Sequence, residues 1–334
     1  MMIHCIILHY ISWFVKRVYT LFFLFAAIFF STVYISILRI SSILTSLLFE
    51  RTIILIYLPR GVYMAMELSV WSDYYFDLPP EEAVLRFLSC GIRAIELGTG
   101  HGEMLIERGD PTSVGKAFGR FAKEHGMQIT QGHLWLKARI VSNPEAVSIL
   151  NNWIDLYEAI GIRNMVLHMD VYNMEEKSID EMHHLNVEKL KILADHIQGR
   201  NIYICLENLF RRGADHIEQL LSVIERIDSP QFGITLDTGH LNMVKTASQH
   251  DFILAAGEKL RAIHIADNDG SADQHLIPFG KGTVDFAEVV RALRKVGYKG
   301  VFNYEIPGES HVPLPIRDRK LLYIRDTYHY LMEQ

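Results

Sequence analysis

From Met66 to the C-terminus one alternation repeats, and it limits the folds open to this chain more than any other feature. A short run rich in β-branched and aromatic residues ends in polar side chains, and an amphipathic stretch with helix-ending punctuation follows. Eight strand candidates can be read: ELSVW (67–71), RAIEL (93–97), MQITQGH (127–133), NMVLH (164–168), IYICLE (202–207), FGITLD (232–237), RAIHI (261–265) and VFNYE (301–305). The helices between them have legible ends. Pro79 and Pro80 introduce EEAVLRFLSC and Gly91 closes it, while Pro144 suits a first helical position and Gly161 a C-terminal stop. Asp285 with Glu288 has the pattern of a capping box before FAEVVRALRKVG. Eight such units over 66–334 predict an α/β fold, a closed (β/α)8 TIM barrel of ordinary size. The absence of a sequence repeat argues against a solenoid.

A competing motif sits in the second unit. AIELGTGHGEM (94–104) looks like the glycine-rich turn of a nucleotide site, in which backbone amides approach a phosphate or carboxylate. Glycine serves any tight strand-to-helix loop, and nothing downstream behaves as a nucleotide-binding half-domain. The barrel reading takes precedence.

Residues 1–62 form a hydrophobic N-terminal extension of different character. LFFLFAAIFFSTVYISIL (21–38) is uncharged and approaches the length of a bilayer span, so residues 18–38 are a candidate membrane anchor. Lys16 and Arg17 precede it and Arg39 follows, which scarcely fixes an orientation. No small-residue cleavage site follows cleanly, against a signal peptide. The other open reading is a gene-model extension upstream of a start at Met64 or Met66. The chemistry is expected after it.

Composition narrows the class. The chain is 49% hydrophobic, enough for a sizeable core, and its three cysteines, Cys5, Cys90 and Cys205, show no paired spacing. That excludes a disulfide framework and a cysteine zinc motif and suits a cytoplasmic, reducing setting for the barrel. Setting aside the five basic residues and one acid of residues 1–65 from totals of 33 and 39 leaves 28 basic and 38 acidic residues, a formal charge of −10. Such a body is a poor electrostatic partner for nucleic acid.

Catalytic groups in such barrels come from the C-terminal ends of several strands. Here those ends carry Glu96, His133, His168, Glu207, Asp237, His264 and Glu305, from the second strand to the eighth. Any one alone has a dull explanation; seven in succession do not. Glu207, Asp237, His264 and Glu305 form a mostly hard, oxygen-rich ligand set suited to Mn²⁺, Mg²⁺ or Co²⁺ and tolerant of Zn²⁺. Without a cation, three converging carboxylates would have raised pKa values. His240, three residues past Asp237, joins Asp273 and His275 on one side, with His133 and His168 on the other, as further metal ligands or as the lining for a polyhydroxylated substrate.

CLENL (205–209), LDTGHLN (236–242), HIADNDGSADQHLIPFGKGTVDF (264–286) and NYEIPGE (303–309) resemble the xylose isomerase-like barrel superfamily, over about Met66 to Gln334. That superfamily holds sugar isomerases and epimerases and also endonuclease IV. The resemblance implies one divalent metal on Glu207, Asp237, His264 and Glu305, with the two glutamates as acid/base partners. Endonuclease IV-like enzymes hold three zincs, through positions matched by those four plus His133, His168, His240, Asp273 and His275. The acidic barrel and the lack of recognisable DNA-clasping loops favour a carbohydrate isomerase or epimerase over a zinc phosphodiesterase acting on abasic DNA. The expected partner is then a small carbohydrate, with Glu96 and His240 in contact with it, and a homo-oligomer is compatible with this class. No basic loop suited to a phosphate stands out.

Overall fold

In a computed structural model of the chain, residues 66–244 and 247–334 are described. The candidate span 18–38 lies outside them; among the described residues no helix is long and apolar enough to cross a membrane. Eight parallel strands close into one barrel: β1 Leu68–Trp71, β2 Ala94–Leu97, β3 Gln128–His133, β4 Asn164–Leu167, β5 Tyr203–Glu207, β6 Phe232–Asp237, β7 Leu260–Ile265 and β8 Phe302–Tyr304. Each pairs with its successor, and β8 returns to β1. The chain therefore has the predicted (β/α)8 TIM-barrel fold.

Strand register brings the polar ends together. Asp237 lies opposite His264, Glu96 opposite Gln131, and His264 opposite Asn303. All six residues of β6 are buried, as expected for a strand covered on both faces. His168 and Glu305 each fall one residue beyond their strand, at the first loop position.

Helix punctuation is mostly realised. Pro80 is the first residue of the helix Pro80–Ser89, and Gly161 ends the helix Ala146–Ile160 in a left-handed conformation, φ 111°. Pro144 is different: the helix starts at Ala146 behind Glu145. The Ala146 amide donates to the Asn143 carbonyl, so Pro144 fills the second position of a tight turn instead of opening a helix. Asp285 accepts from the Glu288 amide at 2.9 Å; a reciprocal capping box is formed by Ser178 and Glu181 at the helix Ile179–Ile197.

The glycine-rich turn after β2 is already filled from within. Asp73 accepts from the Gly100 amide at 2.6 Å and the His101 amide at 3.1 Å, and Ser72 Oγ accepts from Gly98 at 2.8 Å. A Cβ on Gly98 would stand 2.4 Å from Asp73 Cγ, which explains the glycine by a side-chain approach from the turn after β1 rather than by a nucleotide. Cys90 and Cys205 are free and buried.

Candidate functional site

Four side chains from the ends of β5, β6, β7 and β8 meet at one point. Glu207, Asp237, His264 and Glu305 each offer a ligand atom, and these atoms all lie within 4.8 Å of one another. His264 Nδ1 is 3.1 Å from Glu207 Oε1, 2.9 Å from Glu305 Oε2 and 3.9 Å from Asp237 Oδ2. Asp237 is fully buried. Its Oδ1 accepts from the His240 amide at 2.6 Å, while Oδ2 has no hydrogen-bond partner. An orphaned buried carboxylate oxygen facing an imidazole and two glutamates fits a divalent cation, because no proton donor otherwise offsets its desolvation.

The titration of the cluster shows how charge is arranged without the ion. Burial, reinforced by Glu305 and Glu207 and opposed by His240, pushes Asp237 up to about 6. Burial works against ionised Glu207 and Glu305 too, but His264 and the neighbouring histidines outweigh it. Glu207 is held well below its ordinary value and Glu305 at about 2. His264 is raised far above its ordinary value, since Glu305, Glu96 and Glu207 overcome its burial. The imidazolium thus stands in for part of a cation's charge, and metal binding here would release protons.

Glu96 stands behind His264. It is fully buried, with Oε1 3.1 Å from His264 Nε2. Its other oxygen accepts from Gln131 Nε2 at 3.1 Å and from Asn303 Nδ2. The carboxylate is thus engaged by His264, Gln131 and Asn303. A carboxylate behind a ligating histidine fixes the tautomer and raises basicity.

The remaining sequence candidates gather in two further groups. His133 and His168 flank Glu207: the two Nε2 atoms are 3.3 Å apart, and His168 Nε2 is 2.9 Å from Glu207 Oε2. Burial keeps His168 below its ordinary pKa despite Glu207, whereas Glu207 overcomes the burial of His133 and raises it. On the other side Asp273 bridges His240, at 3.3 Å, and His275, at 3.2 Å. Both triads, His133–His168–Glu207 and His240–Asp273–His275, have ligand atoms within 4.8 Å of one another. His240 Nδ1 lies 2.9 Å from the Asn208 carbonyl, and Asn208 Oδ1 accepts from the Asp237 amide.

Sequence reasoning missed the residues around this centre. A cavity of about 480 Å³ opens beside His168 and His240, with Arg139, Tyr172, Phe210 and Arg211 on its far wall. These come from the loops after β3, β4 and β5. Gln131, Asn208 and Asn303, which tie the ligands down, are ordinary strand-end amides in the sequence. Their roles depend on partners as far as 234 positions away.

Comparison with known proteins bears on the same region. Residues 85–326 match the family profile described as xylose isomerase-like TIM barrel. A protein of Sinorhizobium fredii, y4fM, is 29% identical over 196 residues, 58% of this chain and 60% of that protein. An L-ribulose 3-epimerase of Methylomonas sp. is 28% identical over 151 residues, 43% of this chain and 49% of that protein. The chain thus spans about half to three fifths of the length of these relatives. The solved structure of D-psicose 3-epimerase with D-tagatose from Clostridium cellulolyticum H10 superposes with a TM-score of 0.66 at 16% identity, covering 80% of this chain and 99% of that one. At that identity the match speaks to the fold.

Proposed function

Because the chain belongs to the xylose isomerase-like TIM barrel family, we propose that it is a sugar epimerase or isomerase acting on a ketose or related keto-polyol with a divalent cation, Mn²⁺, Mg²⁺, Co²⁺ or Zn²⁺. The observation that carries the reading is the convergence of Glu207, Asp237, His264 and Glu305 around the partnerless Asp237 Oδ2. The epimerase relative supports the substrate class.

A cation on these four residues supplies Lewis acidity to the carbonyl and neighbouring hydroxyl oxygens of a sugar. The chain's own groups do the rest. Glu207 and Glu305 face the same point from β5 and β8, so one takes the proton from the carbon beside the carbonyl and the other returns it. Return on the opposite face inverts that centre; return at the adjacent carbon isomerises. Each carboxyl is held below its ordinary value, so either is available as the base, while its partner must carry a proton from solvent when it acts as the acid. His168, on Glu207 Oε2, fixes that carboxylate and, with His240, is suited to hydrogen-bond sugar hydroxyls.

One observation favours a second reading, a zinc phosphodiesterase acting on abasic DNA. Nine side chains fall into three ligand groups, two of which share Glu207. The formal charge of −10 over 66–334 counts against it, since DNA affinity draws on lysine and arginine contacts to phosphate. Metal analysis of the purified chain, with assays on a ketose panel and on abasic DNA, separates the two. Epimer formation dependent on one cation per chain supports the sugar enzyme. Three zincs per chain with strand cleavage overturns it.

A further inference from the structure

We infer that the substrate carries an anionic group at the end remote from the reacting carbon, a phosphate ester or a carboxylate, and that Arg139 and Arg211, braced on Tyr172, bind it. This rests on the sugar-enzyme reading of the adjoining centre. The guanidinium carbon of Arg139 lies 3.3 Å from the centre of the Tyr172 ring and that of Arg211 4.6 Å from it, with Arg211 also 5.4 Å from Phe210. Both arginines are exposed, so water screens much of the repulsion between two like charges on one aromatic ring and the ring quadrupole offsets part of the rest, leaving a residual cost. An oxyanion between them removes it, and the planar guanidinium fork matches phosphate and carboxylate alike. Among the described residues neither side chain hydrogen-bonds or pairs with an acid. Lys137 nearby is engaged by Glu103 at 3.0 Å, and Asp273, across the cavity, is already held by His240 and His275.

The arrangement is built and held in advance. Asp170 is buried, and its Oδ2 accepts from the amides of Val141 and Ser142 and from Ser142 Oγ, at 3.1, 3.0 and 2.8 Å. That ties the loop bearing Arg139 to the loop bearing Tyr172. Asn186 in turn grips Asp170 through its amide and its carbonyl, at 2.8 Å each. Arg139 itself sits at φ +45°, a conformation unfavourable for a side-chain-bearing residue, so the surrounding loop holds it against local preference. The same cavity of about 480 Å³ is lined by His168 and His240. A sugar at the metal-ligand cluster can therefore extend toward the arginines without leaving the chamber.

The test compares kcat/KM of the full chain, with its cation, on a ketose, its terminal phosphate ester and the keto-acid bearing a terminal carboxylate. The variants are Arg139→Gln, Arg211→Gln and the double change. One anionic substrate is expected to exceed the neutral ketose by roughly tenfold per guanidinium, with the ratio collapsing through KM in the double variant. Which of the two is preferred identifies the anion. Equal efficiency on all three, or a preference that survives in the double variant, overturns the inference. If no ketose of either kind is turned over, the sugar-enzyme reading fails. Phosphorus NMR titration with inorganic phosphate then judges the anion site alone. Saturable binding weakened in the double variant supports it, and equal binding by both proteins overturns it.

Discussion

Replacing Asp237 by Asn should stabilise the cation-free protein and cripple the cation-loaded one. The buried carboxyl titrates near 6 against an ordinary 3.8 because burial and two neighbouring glutamates oppose its charge. A carboxyl with a raised folded-state pKa costs stability as pH rises. The cost is absent below the unfolded value, grows between the two values and is complete above the folded one. Linkage over this interval gives a penalty of about 3 kcal/mol at about pH 8 and about half of that at about pH 5. Asn keeps an oxygen where Oδ1 accepts from the His240 amide. It also replaces the partnerless Oδ2 with a donor facing the glutamates, so the penalty disappears while the shape is kept. With a chelator present, denaturant unfolding should show the variant more stable than wild type by up to about 3 kcal/mol at about pH 8, and by less at about pH 5. With a divalent cation the order should reverse, and cation affinity should fall more than tenfold, or about 1.4 kcal/mol. A variant less stable than wild type in chelator at the higher pH would refute the assignment of Asp237 as a strained, cation-awaiting carboxylate.

Glu96→Gln removes the charge behind His264 without touching the cation, and calorimetric titration should show cation affinity lowered roughly 10–100-fold; unchanged affinity would mean the ring is held by other contacts. His275, raised to about 10 chiefly by Asp273 against the effect of burial, contributes stability that is full below its unfolded value of 6.5 and lost as pH rises through 10. The stability gap between wild type and His275→Asn in chelator should accordingly close across that interval, and a gap constant with pH would contradict the pairing. Gly98→Ala would drive a Cβ against Asp73 and dislodge its bonds to Gly100 and His101, costing about 1–3 kcal/mol in thermal or chemical unfolding.

Much of this was legible in the sequence because a TIM barrel encodes its mouth locally. Strand ends carry functional groups at a fixed place in each repeating unit, so Glu207, Asp237 and His264 can be read from where each apolar run stops. Strand limits differ from expectation by at most one residue at either end, as for β8. What was not legible is whatever depends on pairing across the barrel. Glu96 looks like any other strand-end acid; only the approach of His264, 168 positions later, shows that it faces inward to that ring. Asp73 has no pattern to mark it, yet it fills the turn that otherwise suggests a nucleotide site. The arginine pair is likewise spread over two loops with the intervening tyrosine on a third, so no single stretch looks basic. Pro144 failed as a helix start because the Asn143 turn competes for it.

The most direct test of the central claim is hydrogen exchange at the reacting carbon. The chain, a divalent cation and a ketose substrate are incubated in deuterated water, and the C–H signals of substrate and product are followed by proton NMR, with Glu207→Gln and Glu305→Gln alongside. Proton transfer by the two glutamates predicts deuterium at the inverted or isomerised carbon. It also predicts turnover reduced roughly 10²–10⁴-fold in each variant while cation is retained at least in part. One variant should still exchange label without forming product, and the other should not exchange at all. Product formed in deuterated water with no label would mean that hydrogen moves directly between carbons, and would contradict the account.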